Sequence, residues 1–340
     1  MKMAVAAVDG AQGLAIEERD VPDPGPGEVL LKVVSAGICG SDLHMLPVAR
    51  PGTVLGHEYA GTVVATGAGV STLTEGDLVC SLPAIGCGVC LACQLGDPVH
   101  CPSSRHVGSP KVAGAFAQYV IAGERESLKQ PANIDPALGS LVEPLAVGLN
   151  IFESAQVGIG DRVVIFGAGP VGLAVTLWAA TMGVAHIVVS DPLPVRRALA
   201  EQVGATAVVD PLNEDLAAVT REAIGGRPEV VIECAGRPGT VDDATALVAH
   251  RGRVVIAGIH LQPHEQFSRM QPYRKSATVQ FSSWYTLKHF RHTLRMWETN
   301  RLDPTALVTH QATLADLPRI VQELQRPNDF GKVVINPDAA

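Results

Sequence analysis

A glycine-rich turn between an apolar strand and an apolar helix constrains the fold of this chain more than any other feature. The strand pattern Arg162–Phe166 runs directly into Gly-Ala-Gly-Pro-Val-Gly, which opens a helical pattern. In such a turn the first glycine permits the tight bend, the second lets a pyrophosphate approach the backbone, and the third lets the helix pack on the strand. We therefore predict a dinucleotide-binding turn formed by Gly167, Gly169, Pro170, Val171 and Gly172.

A second strand pattern supports this interpretation and indicates the cofactor. It covers His186–Ser190 and ends at Asp191, 19 residues after Gly172. A carboxylate there can accept hydrogen bonds from the adenosine ribose diol and repels a 2′-phosphate, so we expect NAD rather than NADP. Arg196, near the start of the next helical pattern, is a candidate to cover the adenine. The alternative is a glycine turn that binds no nucleotide.

Strand and helix patterns alternate from about Leu145 onward, which predicts right-handed crossovers and a parallel sheet. The predicted elements are strand Arg162–Phe166, helix Pro170–Met182, strand His186–Ser190, helix Pro194–Val203, strand Ala207–Val209, helix Glu214–Ala223, strand Val230–Glu233, helix Thr240–Val248 and strand Arg253–Ala257. Residues 163–190 carry no Asp, Glu, Lys or Arg, a run long enough to suggest a membrane span. Four glycines, a proline and a histidine interrupt it, so we predict a buried strand, helix and second strand.

Residues 1–145 have a different, β-rich pattern with frequent Gly/Pro turns. The strands predicted there include Val29–Ser35, Gly61–Thr66 and Phe116–Ile121. After about Thr278 the pattern loosens, and the chain ends in a predicted helix, Leu314–Leu324, and strand, Lys332–Ile335. A chain of 340 residues is long enough for about two domains, each with its own core.

Four of the seven cysteines lie within 15 residues. The spacing Cys87-x2-Cys90-x2-Cys93-x7-Cys101 lets four thiolates converge on one tetrahedral ion. Four sulfur ligands leave no open position, so we predict a structural zinc in a lobe at about residues 84–103. An iron–sulfur cluster or four unrelated thiols are the alternatives. The odd cysteine count and the lack of an N-terminal signal-peptide pattern favour a reducing compartment.

A second group of candidate ligands is spread over three short motifs. Cys39, Ser41 and His44 lie in Cys-Gly-Ser-Asp-Leu-His, His57 and Glu58 lie in Gly-His-Glu, and Glu143 precedes a proline. A thiolate, an imidazole and one or two carboxylates form a ligand set that suits Zn²⁺. Each residue alone has an ordinary structural explanation, such as a small core cysteine or a surface carboxylate.

Together these motifs resemble a known family. The pattern GHE-x2-G-x5-G-x2-V runs from Gly56 to Val70, and it occurs in order with CGSDLH, the four-cysteine lobe and GAGPVG. The chain resembles the zinc-dependent medium-chain alcohol dehydrogenases, in the branch of sorbitol, butanediol and threonine dehydrogenases. The resemblance implies an α/β fold with a central Rossmann domain (a doubly wound parallel sheet) and a GroES-like, β-rich catalytic domain. The expected boundaries are 1–147 and 283–340 for the catalytic domain and 148–282 for the NAD-binding domain.

The resemblance also implies roles for the dispersed ligands. It implies a catalytic zinc held by Cys39 and His57, with Glu58 next and Glu143 binding directly or through water. The zinc acts as a Lewis acid toward an alcohol in this family, while Ser41 accepts the proton and His44 relays it. Two zinc ions per chain are therefore expected, one catalytic and one structural.

The expected activity is zinc- and NAD-dependent interconversion of a secondary alcohol, diol or polyol and its ketone. The segment between His44 and Gly56 is short, and Trp284 stands where polyol enzymes often carry arginine, which favours a less polar substrate. Met45, Leu46 and Trp284 are candidate pocket walls, and the alternative for each of them is packing in the core. A threonine-type amino-alcohol dehydrogenase is the alternative enzyme. The non-enzymatic alternative is a nucleotide-binding protein that has this fold but no catalytic activity.

The charge balance bears on partners and location. The net charge of −8 opposes binding to nucleic acid or an anionic membrane. We expect a cytoplasmic protein that binds a small alcohol or ketone and forms a homo-oligomer, a tetramer or dimer. The strand Arg253–Ala257 is the expected edge at which subunits pair.

Overall fold

The computed structural model describes residues 1–259, 266–326 and 328–338. The chain divides into two compact units. The terminal unit comprises Met1–Glu143, Tyr285–Asn300 and Val308–Ala340, and the central unit comprises Pro144–Trp284 and Arg301–Leu307. The divisions fall after residues 143 and 284, and the short segment 301–307 goes with the central unit.

The elements follow one another along the chain in three groups. The first group is β1 Lys2–Val8, β2 Leu14–Asp20, β3 Glu28–Gly37, α1 Gly40–Met45, β4 Glu58–Thr66, β5 Leu78–Ser81, β6 Ala84–Ile85, α2 Leu91–Gln94, β7 Arg105–His106, β8 Tyr119–Gly123 and β9 Ser127–Lys129. The second group is α3 Val142–Ser154, β10 Arg162–Phe166, α4 Pro170–Thr181, β11 His186–Ser190, α5 Pro194–Gln202, β12 Ala207–Val209, α6 Leu216–Ile224, β13 Val230–Glu233, α7 Thr240–Leu247, β14 Arg253–Ile256, α8 Met270–Lys275 and β15 Thr278–Phe281. The last group is α9 Leu287–Glu298, β16 Val308–Thr313, α10 Leu317–Leu324 and β17 Lys332–Asn336.

The central unit confirms the predicted doubly wound sheet. Its six strands have the order β12-β11-β10-β13-β14-β15 and all pair in parallel. The charge-free run forms β10, α4 and β11, and most of α4 is buried because helices pack on both faces of such a sheet. Among the described residues, no helix has both the length and the apolarity needed to cross a bilayer.

The predicted edge strand was wrong. Strand β14 is internal because β15 pairs with it in parallel, from Arg253 opposite Thr278 to Ile256 opposite Phe281. Among the strands that the structure describes, the two edges of this sheet are therefore β12 and β15. The sequence of β15, Thr-Val-Gln-Phe, is short and mostly exposed, so it lacks the apolar run that marks the inner strands.

The terminal unit joins both ends of the chain in one seven-stranded sheet. Its order is β16-β17-β3-β4-β5-β9, and β8 also pairs with β3. The last strand, β17, lies antiparallel to β3, with Val334 opposite Gly37. The predicted strand Phe116–Ile121 begins later, at Tyr119, because the fully buried Phe116 packs against the backbone of Gly56 instead.

Candidate metal centres and nucleotide turn

The sheet of the terminal unit brings three predicted zinc ligands together. Strands β3 and β4 are antiparallel, with Gly37 opposite Glu58, so the end of one strand faces the start of the other. Cys39 follows β3 and His57 precedes β4. One ligand atom from each of Cys39, His57 and Glu58 lies within 4.8 Å of the others. A thiol, an imidazole and a carboxylate at this spacing fit a Zn²⁺ ion.

Asp42 fixes the two best candidate ligands, and the sequence reasoning did not assign it. Its Oδ2 accepts a hydrogen bond from the Cys39 backbone N–H at 2.9 Å, and its Oδ1 lies 3.2 Å from His57 Nδ1. Oδ1 also accepts from the Gly56 N–H at 3.4 Å. This arrangement turns Nε2 of His57 toward the ligand group, where Ser41 Oγ lies 3.5 Å away. A carboxylate behind a metal-binding histidine is a common orienting partner.

The electrostatics of this group favour a bound cation. Burial lowers the pKa of His57, but the negative charges of Asp42 and Cys39 outweigh burial and hold that pKa well above its ordinary value. A site that stabilises the imidazolium form in this way attracts positive charge of any kind. A proton and a divalent metal would therefore compete for it.

Glu58 already has a buried partner, Lys332, which the sequence reasoning also missed. The two side chains are 1% and 2% exposed and form an ion pair, and Lys332 Nζ donates to the Ile38 carbonyl at 2.8 Å. A Cβ at Gly37 would lie 1.9 Å from Glu58 Oε2, so only glycine leaves room for this carboxylate. The sequence signal was a lysine that opens the apolar strand β17.

Glu143 lies outside the group of three ligand atoms. Its side chain is buried at the start of α3. Burial raises the pKa of Glu143 to about 7, and the charge of His57 opposes that rise. The buried Tyr285 lies close enough that the charge of Glu143 adds to burial in raising the pKa of the phenol. A direct ligand role for Glu143 stays a prediction.

The remaining predicted residues of this site, apart from Trp284 in the central unit, are on or near α1. Ser41 is half-buried beside His57, whereas His44 is exposed in the last turn of the helix. Met45 is exposed, but Leu46 packs into the hydrophobic core of the terminal unit, so the structure does not support it as a pocket wall. Trp284 is 46% exposed and has a backbone φ of 60°.

The four-cysteine lobe also fits a metal. One sulfur from each of Cys87, Cys90, Cys93 and Cys101 lies within 4.8 Å of the others. Backbone N–H groups of Val89 and Cys90 lower the pKa of Cys87 to about 6, so thiolate forms readily there. The lobe has little core of its own, since Val89, Leu91 and Leu95 are all exposed. Four sulfur donors within 4.8 Å of one another fit a Zn²⁺ ion that has no open position, so a structural ion here stays a prediction.

In the central unit, the glycine turn has the predicted form. Gly167 has a φ of 88°, and a Cβ at Gly172 would lie 1.8 Å from the Gly167 carbonyl oxygen. Gly169 caps α4, whose first turn begins with Pro170 and Val171 and contains no acidic residue. The N–H groups of this turn can therefore receive a pyrophosphate.

Asp191 has a structural role that the sequence did not indicate, and its role toward the cofactor stays a prediction. It is 3% exposed, and its carboxylate accepts hydrogen bonds from Ala168 N–H at 2.8 Å and Leu193 N–H at 2.9 Å. These bonds join the glycine turn to the loop after β11. They also fix the negative charge in place. Arg196 is half-buried on α5.

Comparisons with known proteins identify the family. Residues 25–132 match the family model "Alcohol dehydrogenase GroES-like domain", and residues 170–299 match "Zinc-binding dehydrogenase". The chain is 32% identical to an L-threonine 3-dehydrogenase of Pyrococcus abyssi, over 98% of this chain and 97% of that protein. It is 30% identical to a sorbitol dehydrogenase of Bacillus subtilis, over 99% and 98% of the two chains.

A solved structure shows the same fold with a cofactor. The structure is described as that of a zinc-binding dehydrogenase from Sinorhizobium meliloti 1021 bound to NADP. The two chains are 30% identical and superpose with a TM-score of 0.89, over 99% of this chain and 100% of that one. The chain therefore belongs to the zinc-dependent medium-chain alcohol dehydrogenase family, as its motifs predicted. It is an enzyme whose class of reaction is the NAD(P)-dependent oxidoreduction of alcohols.

Proposed function

We propose that this enzyme interconverts a secondary alcohol, diol or polyol and its ketone, using a catalytic zinc and NAD. The observation that carries the proposal is the convergence of Cys39, His57 and Glu58 within 4.8 Å. When bound, the zinc supplies Lewis acidity that lowers the pKa of an alcohol, and NAD supplies the hydride acceptor. The residues of the chain provide binding, orientation and a route for the proton.

Each residue of the terminal unit has a distinct part in this scheme. Cys39 and His57 bind the metal, and Asp42 holds both in position through the contacts at 2.9 and 3.2 Å. Glu58 supplies a third ligand, and Lys332 balances its charge. Ser41, whose Oγ lies 3.5 Å from His57 Nε2, accepts the substrate proton as its own hydroxyl proton leaves toward His44. His44 is exposed in the same helix and passes that proton to solvent.

A threonine-type amino-alcohol dehydrogenase activity is the second candidate, beside the oxidation of a secondary alcohol, diol or polyol. The similarity to a threonine 3-dehydrogenase favours it, whereas the short segment 45–55 and Trp284 favour a less polar alcohol or diol. An NAD-reduction screen over diols, sugar alcohols, cyclic secondary alcohols and threonine separates the two. Cys39→Ser serves as the blank. Turnover of threonine but not diols would select the second candidate, and no turnover of any alcohol would favour a silent nucleotide-binding protein.

Asp42→Asn should weaken zinc binding at the catalytic site by about 10- to 100-fold. The amide removes the negative charge that orients His57 and favours a bound cation. Competition with a chromogenic chelator measures the affinity. The matched control is Asp9→Asn, because Asp9 also accepts from nearby backbone N–H groups, those of Ala11 and Gly13, and belongs to neither ligand group. Wild-type affinity in Asp42→Asn would contradict the orienting role.

NAD should be preferred over NADP because the charge of Asp191 is fixed by two backbone N–H groups. In Asp191→Asn we expect the ratio of kcat/KM values for NAD and NADP to fall by about tenfold or more, since like-charge repulsion is lost. Asp210→Asn, which changes an acid paired with Arg197 in the same unit, is the control and should leave the ratio unchanged. A wild-type preference for NADP would refute this assignment.

We also propose a homo-oligomer, a dimer or tetramer, that pairs through β15. This strand has a free edge, and Phe281 and the nearby Tyr273 are 72% and 77% exposed. Phe281→Glu should shift the mass measured by light scattering toward the monomer, because a charge at an edge opposes strand pairing. Ile16→Glu, at an exposed apolar position of β2, is the control. A monomeric wild-type protein would contradict the proposal.

The cysteine chemistry supports a cytoplasmic location. All seven cysteines are free thiols in the structure, including both candidate ligand groups. Thiolates that bind metal require a compartment in which they are not oxidised to disulfides. We therefore propose that the enzyme works in the cytoplasm.

A further inference from the structure

Glu233, the last residue of β13, is a buried acid in the central unit that no step above uses. It is 1% exposed. Its Oε1 accepts hydrogen bonds from the N–H groups of Ala235 and Gly236, at 2.9 and 2.8 Å, and from Thr240 Oγ1 at 3.0 Å. A single carboxylate oxygen therefore joins the start of the loop between β13 and α7 to the first residue of α7. Charge-assisted bonds of this kind are among the stronger ones in proteins.

The same residue also holds the neighbouring loop. The main-chain oxygen of Glu233 accepts from the N–H groups of Ala257 and Gly258, at 2.8 and 2.9 Å, just after β14. The two loops touch through their backbones, since a Cβ at Gly258 would lie 2.2 Å from the Gly236 nitrogen and 2.5 Å from Glu233 Oε2. Movement of the Glu233 carboxylate would thus displace both loops.

These loops lie beside the glycine turn. The Cys234 N–H donates to the Phe166 carbonyl at 2.8 Å, and a Cβ at Gly167 would lie 3.0 Å from the Ala235 Cα. The strands that follow β10 in the chain, β11 and β12, lie on one side of it, whereas β13, β14 and β15 lie on the other. The order in which strands are added therefore reverses between β10 and β13. Ligands of doubly wound sheets bind outside the carboxyl ends of the strands at this reversal. Glu233 therefore stabilises one wall of the expected dinucleotide site.

The charges of the two helices indicate which half of the dinucleotide this wall receives. The first turn of α4 contains no acid, whereas the first turn of α7 contains Asp242 and Asp243. Phosphates are therefore favoured at α4 and opposed at α7. The half of the sheet formed by β10, β11 and β12 takes the adenosine and pyrophosphate. The nicotinamide riboside is therefore expected at the loops that follow β13 and β14.

We propose that Glu233 is a positioning residue for the nicotinamide half of the cofactor. It acts by fixing the loops 234–239 and 257–259, not by touching the reacting atoms. The inference rests on the proposed use of NAD and deepens it. It predicts that loss of the carboxylate weakens binding of the whole dinucleotide but not of its adenylate fragment.

Calorimetric titration of the zinc-loaded enzyme with NAD and with AMP tests this inference. In Glu233→Leu we expect the Kd for NAD to rise by about 30-fold or more and the Kd for AMP to change by less than about threefold, because only the nicotinamide wall loses its hydrogen bonds. Glu233→Gln keeps an acceptor oxygen and should recover much of the NAD affinity. Glu229→Leu is the matched control, since Glu229 precedes the same strand at its other end and pairs with Arg162. It should leave both Kd values unchanged.

A milder variant covers the case in which Glu233→Leu does not fold. Thr240→Val removes one of the three donors to Oε1 and should raise the Kd for NAD alone, by about threefold or more. An unchanged Kd for NAD in the folded variants would overturn the inference, and so would an equal loss of AMP and NAD binding. Failure of the wild-type enzyme to bind AMP or NAD would overturn the proposed cofactor, which is a distinct result.

Discussion

Cys39→Ser should lower kcat/KM for alcohol oxidation by about 1,000-fold or more and should reduce the zinc content from two ions to one per chain. A metal acting as Lewis acid contributes several kcal/mol of transition-state stabilisation, and each 1.36 kcal/mol corresponds to a factor of ten in rate. The hydroxyl of serine is a poorer zinc ligand than a thiolate. Steady-state NAD reduction and elemental analysis measure the two effects.

The matched control for this experiment is Cys80→Ser. Cys80 is a buried cysteine of the same unit that belongs to neither ligand group, and its sulfur lies 3.4 Å from Gln130 Oε1, where a serine hydroxyl can also donate. This variant should retain both zinc ions and near-wild-type kcat/KM. An active Cys39→Ser enzyme that keeps two zinc ions would refute the assignment of Cys39 as a ligand.

Cys101→Ser should remove the other zinc ion and unfold the lobe around it. Zinc binding supplies on the order of 10 kcal/mol to isolated structural sites, and this lobe has little buried apolar surface to replace that contribution, because Val89, Leu91 and Leu95 are exposed. We expect amide hydrogens of residues 87–101 to lose their protection from exchange and the melting temperature to fall by several degrees.

Loss of the lobe zinc in Cys101→Ser can be distinguished from loss of the catalytic zinc in Cys39→Ser. Hydrogen exchange followed by mass spectrometry localises the change, and elemental analysis should give one zinc per chain, as for Cys39→Ser. The distinction is that protection should be lost at residues 87–101 only in Cys101→Ser. If that variant kept two zinc ions and normal protection, the four cysteines would not form a structural centre.

The parts of this structure that depend on local sequence could be predicted. The glycine turn, β10, β11 and β13 have the predicted positions because their apolar runs and turn residues are contiguous in the chain. Both groups of candidate metal ligands were also recognisable. The four cysteines were found by their spacing, and Cys39, His57 and Glu58 by family resemblance. In both cases the signal lies within short motifs.

The parts that depend on distant residues could not be predicted in the same way. Lys332 reaches Glu58 only because β17 pairs beside β3, and no spacing in the sequence indicates that contact. Strand β15 was missed because its residues are mostly exposed. Asp42 is different, since its position three residues after Cys39 is one from which a carboxylate can reach back to the Cys39 N–H.

The most direct test of the central claim is an anomalous scattering map at the zinc absorption edge, from crystals grown with zinc. We expect two peaks per chain, one among the four sulfurs of the lobe and one between Cys39 Sγ and His57 Nε2. A map with the lobe peak but no peak at Cys39, and with the Cys39 and His57 side chains turned apart, would contradict this claim.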